Sequence, residues 1–175
     1  MREVSDAFLL NVAEVTAALV GLFLVGTFFF VDKGFRQPPG DREAVESYFR
    51  SGTRIVLILF AIPLILSMTL VAMEPVWSRI LFAVLSLMLI AANVDSVRRI
   101  REAGKALGTP ALVINEALGT VAVALIVTLP WILGGIDPGR EDMAWALMLS
   151  FAAGFLSVSS LVLAAFDIAS PGPRD

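Results

Sequence analysis

Two carboxylates lie inside long apolar stretches of this chain, and they are the residues best placed to do chemistry. Glu14 follows Asn11 by three residues, and Glu116 directly follows Asn115. An ionisable side chain in a membrane-spanning segment is costly, so it usually faces protein or water rather than lipid. Such a carboxylate can bind a small cation or exchange a proton. Both carboxylates, each with its neighbouring asparagine, are therefore candidate ion or proton sites.

Glu14 is the stronger candidate because Ala18 and Gly21 follow it at helical spacing. Small residues allow membrane helices to approach closely, so we expect this face to be buried between helices. No span supplies a nearby base, and burial opposes the charged form. We therefore expect Glu14 to be protonated or cation-bound at neutral pH. The alternative is a neutral acid that hydrogen-bonds Asn11 and only supports packing. For Glu116, about one turn inside its span, an interfacial or helix-capping role is the simpler interpretation.

A second polar face lies in the last apolar stretch, where Ser150, Gly154 and Ser157 recur at helical spacing. Two interpretations are open. The face lines a pore, or it packs against another helix, which is the commoner use of small and hydroxyl residues in membranes.

The composition places these residues in a membrane. Hydrophobic residues make up 58% of the 175 residues, charged residues 17%, and the mean hydropathy is +0.86. A spanning helix needs about 20 apolar residues. The sequence predicts an all-α integral membrane protein with a single transmembrane domain over residues 1–175, a bundle of five helices. The predicted spans are about 7–31, 54–73, 76–94, 111–133 and 142–166.

Spans 2 and 3 are predicted to continue beyond the membrane. Nothing between Asp41 and Ala61 would stop a helix, and charged residues recur four apart in both flanking segments. We expect residues 41–53 and 95–104 to form a helical stalk in the cytoplasm. At the other side, Asp137 followed by Pro138 is expected to cap span 5.

Basic residues set the predicted orientation, since Lys and Arg favour cytoplasmic loops. The 32–54 loop, the 95–110 loop and the tail after 167 carry ten of them, and the other side carries three. Trp77, Trp131 and Trp145 fall at span ends on that other side, as interfacial tryptophans do. We therefore predict a multi-pass cell-membrane protein with the N-terminus outside and the C-terminus in the cytoplasm.

The chain has no Cys and no His, which excludes disulfides, thiolate metal sites, and Ser-His or Cys-His nucleophile pairs. No catalytic residues, metal ligands or cofactor are predicted, and the protein is not expected to be an enzyme. With a net charge of −3 and a pI near 5.0, nucleic acid is not an expected partner.

Five helices make a thin bundle with little room for an enclosed polar path, so a homo-oligomer is expected. The leading functional hypothesis is an oligomeric ion channel or pore-type transporter with Glu14 near its external mouth. The alternative is a non-transporting membrane subunit or scaffold whose stalk docks a partner, with Tyr48 and Phe49 on its apolar side.

Ala13-Glu14-Val15 in the first span resembles the glutamate segment of the small multidrug resistance exporters. The match covers three residues, and those exporters are shorter, four-span proteins. The resemblance implies a further alternative, a proton-coupled small-molecule exporter in which Glu14 binds the proton and the substrate.

Overall fold

The computed structural model describes the backbone of residues 4–34, 42–107 and 110–169, and the side chains of residues 4–28, 50, 52–98, 119–160 and 162. Within these ranges the chain is all-helical, as predicted, and each predicted span falls on one helix. The helices are α1 (Asp6–Gly34), α2 (Arg42–Ala72), α3 (Pro75–Leu107), α4 (Pro110–Gly134) and α5 (Arg140–Ala169).

Four helices contain stretches long and apolar enough to cross a membrane, which fits a multi-pass membrane protein. These stretches are Asp6–Phe28, Gly52–Ala72, Pro75–Arg98 and Arg140–Ser160. The part of α4 with described side chains, Gly119–Gly134, is apolar but shorter than a crossing. The count of five crossings therefore stays a prediction.

Helices α2 and α3 both run well past their apolar stretches. Helix α2 begins at Arg42, thirteen residues before the charge-free run that starts at Ile55, and α3 continues to Leu107, thirteen residues after the charge-free run that ends at Val94. The predicted unbroken helices are confirmed. The side chains of the stalk lie outside the described residues, apart from a few nearest the membrane, and its cytoplasmic placement stays a prediction.

Helix α2 is the centre of the bundle. It packs against α1, α3 and α5, while α4 packs between α3 and α5. Helices α2 to α5 thus form a ring of four, and α1 lies outside that ring against α2. Leucine, isoleucine and phenylalanine side chains fill the middle of the ring, where the main core contains Leu59, Ile62, Leu66, Phe82, Leu85, Leu89, Val123, Ile126, Met143, Ala146 and Leu147, with Leu9 of α1.

Local hydrogen bonds set the helix ends. The Phe8 amide donates to Ser5 Oγ (3.2 Å), so Ser5 caps α1. Gly135 has a φ of 64°, the left-handed conformation that glycine adopts after a helix C-terminus. Helix α5 begins at Arg140, and the Gly139 amide donates to Asp142 Oδ2 (2.9 Å). The expected cap by Asp137 is therefore wrong: the acid three residues into α5 reaches back over its first turn instead.

Candidate functional site

Helix α1 presents one face to the bundle. Leu9, Ala13 and Thr16 are buried, and Val20 and Phe23 farther along the helix pack against a second small core formed by residues of α2 and α5. The Thr16 hydroxyl donates to the Val12 carbonyl (2.6 Å) within the same helix, so its polarity is satisfied locally. The residues through which α1 packs against the bundle are thus mostly apolar, and none of them is a predicted site residue.

The predicted site residues lie on the opposite face of α1. Every residue of this face is exposed in the single chain. We call it the α1 outer face; its members are Ala7, Asn11, Glu14, Ala18, Gly21, Val25 and Phe28, which alternate at intervals of four and three residues. The structure therefore brings Asn11, Glu14, Ala18 and Gly21 together, as expected from their spacing. Within a single chain they are not buried between helices, so the expected burial of this face would require another chain.

Glu14 has no polar partner in the part of the chain that the structure describes. It lies eight residues after Asp6, about 12 Å along the helix at 1.5 Å per residue. No described side chain or backbone group forms a hydrogen bond or an ion pair with it, and the same holds for Asn11. An acid at that depth in lipid is costly without a partner. In lipid, the polar side chains of this face would be stabilised by contact with another helix, and a single chain does not provide that contact.

Ser150 serves packing between α5 and α2 rather than a pore. Its hydroxyl is buried and donates to the Leu59 carbonyl (2.6 Å). That carbonyl lies four residues before Pro63, which has no N–H to donate to it, so the helix itself leaves it unpaired. Hydroxyl side chains on neighbouring helices commonly satisfy such carbonyls in membranes. Ser150 therefore compensates for Pro63 across the α2–α5 interface.

Gly154 continues the same contact one turn farther along α5. A Cβ atom on Gly154 would lie 2.9 Å from Cε1 of Phe60, a ring that is almost fully buried. The ring also meets Phe151 edge to face, with centroids 6.3 Å apart. Ser157 is half-buried. Of the two interpretations of this face, packing accounts for Ser150 and Gly154.

Two ion pairs hold together the end of the bundle at which α1, α3 and α5 begin, which we call the tryptophan end. Arg79 of α3 pairs with Asp137 in the α4–α5 loop. Arg140 of α5 pairs with Asp6 of α1 through Arg140 Nη1 and Asp6 Oδ1, 2.6 Å apart. Neither pair was predicted from the sequence. The signal that could have indicated them is that each arginine and its acid were predicted on the same side of the membrane.

The three tryptophans occupy this same end. Trp77 and Trp145 are 58% and 57% exposed, while Trp131 is half-buried beside Phe82 with ring centroids 6.4 Å apart. Exposed indoles at one level of an apolar bundle are typical of a membrane interface.

Polar groups also lie inside the bundle. Ser67 of α2 and Ser78 and Ser86 of α3 are buried, and their hydroxyls have no hydrogen-bond partner among the described groups. Buried hydroxyls are normally paired, so these three are exceptions among the described residues.

The remaining candidates are less informative. Asn115 and Glu116 lie in α4, but their side chains fall outside the described residues. Nearby, Asn93 Nδ2 lies 3.4 Å from the Thr120 hydroxyl, a long contact between α3 and α4.

Comparison with known proteins finds no match: no family model, no curated protein and no solved structure resembles the chain. What the residues show is a helical protein suited to a membrane, with an apolar interior and a polar, uncovered face on its outermost helix.

Proposed function

We propose that the protein is a non-transporting membrane subunit whose role is assembly within the bilayer, through the α1 outer face. One observation carries the proposal: Glu14 and Asn11 point away from the bundle and have no polar partner in their own chain. A polar group in lipid is stabilised when another helix covers it, and small residues beside it let that helix come close. Ala18 and Gly21 are the small residues that would let another helix approach α1.

The packing of the ring supports the same role. The space between α2, α3, α4 and α5 is occupied chiefly by leucine, isoleucine and phenylalanine side chains. Two of the α5 residues that suggested a pore, Ser150 and Gly154, bond or pack against α2. Glu14 lies outside this ring, so it cannot line a path through the middle of the ring.

Photo-crosslinking tests the assembly role. A benzoylphenylalanine residue replaces Ala18 on the outer face, or Val84 as the control, in cells that naturally make the protein. Val84 is also exposed and apolar, but it lies on α3. We expect protein adducts from position 18 and only lipid adducts from position 84. Adducts to lipid alone at both positions would refute an assembly role for this face.

An oligomeric ion channel or pore-type transporter is the second candidate, and the three buried serine hydroxyls of α2 and α3 favour it. Water bound at those hydroxyls would give an ion a hydrated route through the bundle, which the apolar side chains of the core do not offer.

Liposome flux assays with several cations and anions distinguish the candidates. The assembly role predicts flux equal to that of protein-free liposomes. Flux above that level, altered in selectivity or pH dependence by Glu14→Gln, would favour the channel, and efflux driven by a pH gradient would favour the exporter.

The stalk provides a further docking surface under the assembly role. Helices α2 and α3 continue beyond the charge-free runs of their sequences, as a projecting hairpin requires. Replacing Tyr48 and Phe49 by Ser should release any partner that is bound there, as measured by co-purification with the intact chain. Unchanged co-purification would mean that these residues pack within the stalk itself.

A further inference from the structure

We propose, building on the assembly role above, that the partner of the α1 outer face is a second copy of this chain. The two α1 helices pack parallel to each other, and Glu14 and Asn11 of both copies meet in the contact.

The spacing of the face suits a parallel pair of helices. Its seven residues alternate at intervals of four and three, an average of 3.5 residues per turn. Two helices with such a seam pack along their length with a small left-handed crossing. A polar residue at one seam position fixes the register of a pair at some cost in stability. Asn11 and Glu14 hold adjacent seam positions, so they specify which turns align.

The chemistry of the remaining surface singles out a second α1. At a similar distance from the tryptophan end, the exposed residues of the other helices offer Glu14 almost no partner. Most are apolar, namely Ile65, Met68, Val84, Leu87, Leu125 and Met148. The exposed Thr128 hydroxyl already donates to the Ala124 carbonyl (2.7 Å). Arg79 lies closer to the end of the bundle and is paired with Asp137. Within the described surface at this depth, the complement of Glu14 and Asn11 is therefore another copy of the same pair.

A two-fold axis along the membrane normal satisfies these requirements. Both copies then keep the same orientation in the membrane, and each residue near the axis faces its own counterpart. The Asn11 amide of one copy donates to the Glu14 carboxyl group of the other.

Disulfide trapping tests this contact, since the chain has no native cysteine. The variants are Gly21→Cys on the outer face and Gly26→Cys as its matched control. Both glycines are exposed on α1, and a Cβ atom on either would meet nothing within 4 Å, so neither change disturbs the fold. Gly26 lies off the seam. A disulfide forms only where two Cα atoms come within about 4.4–6.8 Å.

Oxidation is carried out on each purified full-length variant in liposomes, where no other protein is present. We expect Gly21→Cys to form mostly disulfide-linked dimer and Gly26→Cys to stay at background. Equal cross-linking of the two variants, or none in either, would overturn the proposal. If position 18 still forms protein adducts in the native membrane, the assembly role survives and the partner is a different protein.

The polar pair is tested in the Gly21→Cys background. Glu14→Ala removes the polar group, and from measured polar contacts between membrane helices we expect it to lower the dimer association constant roughly 3- to 20-fold. Glu14→Gln keeps a donor and an acceptor, so it should retain most of the dimer. A Glu14→Ala variant that dimerises like its parent would refute the part assigned to Glu14.

Discussion

Arg79 is the charged side chain most dependent on one partner at the tryptophan end. Its side chain is 26% exposed, its Nε is buried without an acceptor among the described groups, and it pairs with the more exposed Asp137. Exposed ion pairs contribute about 0.2–1 kcal/mol. The half-buried arginine puts this pair at or above the upper part of that range, since unpaired charge is costlier away from water.

A double-mutant cycle measures the pair. Asp137→Asn should lower the free energy of unfolding by about 1 kcal/mol when Arg79 is present, and by much less in an Arg79→Met background. Equilibrium unfolding in detergent micelles, followed by tryptophan fluorescence, supplies the values. The same loss in both backgrounds would show that Asp137 acts through the loop and not through Arg79.

At the scale of elements, Ser150 and Pro63 act as a pair across two helices. Ser150→Ala leaves the Leu59 carbonyl unpaired in an apolar interface, so we expect a loss of about 0.6–1.7 kcal/mol, the range for polar contacts between membrane helices. In a Pro63→Ala background the amide of residue 63 can donate to that carbonyl, so the loss should shrink. Ser157→Ala is the control, because no group in the described part of the chain forms a hydrogen bond with Ser157. Equal losses in both backgrounds would contradict the compensation.

The helices were predictable because proline, glycine and charge mark their ends. Pro75 starts α3, Pro110 starts α4 and Gly134 ends α4. The Ser150–Leu59 contact was not predictable in detail. Pro63 indicates that the Leu59 carbonyl lacks its usual donor within the helix. The sequence alone does not show which hydroxyl of a distant helix donates to that carbonyl.

The face of α1 that packs against the rest of the chain could not be predicted from the sequence, for a related reason. Small residues occur on both of its faces, with Ala13 buried and Ala18 exposed. The positions of the small residues therefore do not show which face of α1 packs against α2. The bulky residues decide: Leu9 enters the main core, and Phe23 packs against the second core of α2 and α5. Helical spacing correctly placed Asn11, Glu14, Ala18 and Gly21 on one face of α1. That this face points away from the bundle could be learned only from the packing of the helices.

For the whole molecule, the ion pairs constrain the path of the chain. They bring the beginnings of α3 and α5 to the same end of the bundle, so α4 must return the chain along the bundle between them. This path is compatible with the predicted five crossings, in which the termini lie on opposite sides of the membrane.

Thiol labelling checks this topology in the cysteine-free chain. Ile136→Cys lies in the α4–α5 loop, where the native side chain is 96% exposed, and Asp175→Cys lies at the C-terminus. An impermeant maleimide should label position 136 in intact cells and position 175 only after lysis. Labelling of both positions in intact cells would refute the predicted five-crossing topology.

The bond between Ser150 and Leu59 also has a consequence for biosynthesis. The two residues are 91 positions apart, so α2 is made long before its partner on α5 exists. At about 5–20 residues per second, the gap lasts about 5–20 s. Throughout that interval the Leu59 carbonyl has no donor in its own helix or from α5. A nascent α2 is therefore most stable where water or the insertion machinery can reach that carbonyl, and its full release into lipid is favoured once α5 arrives.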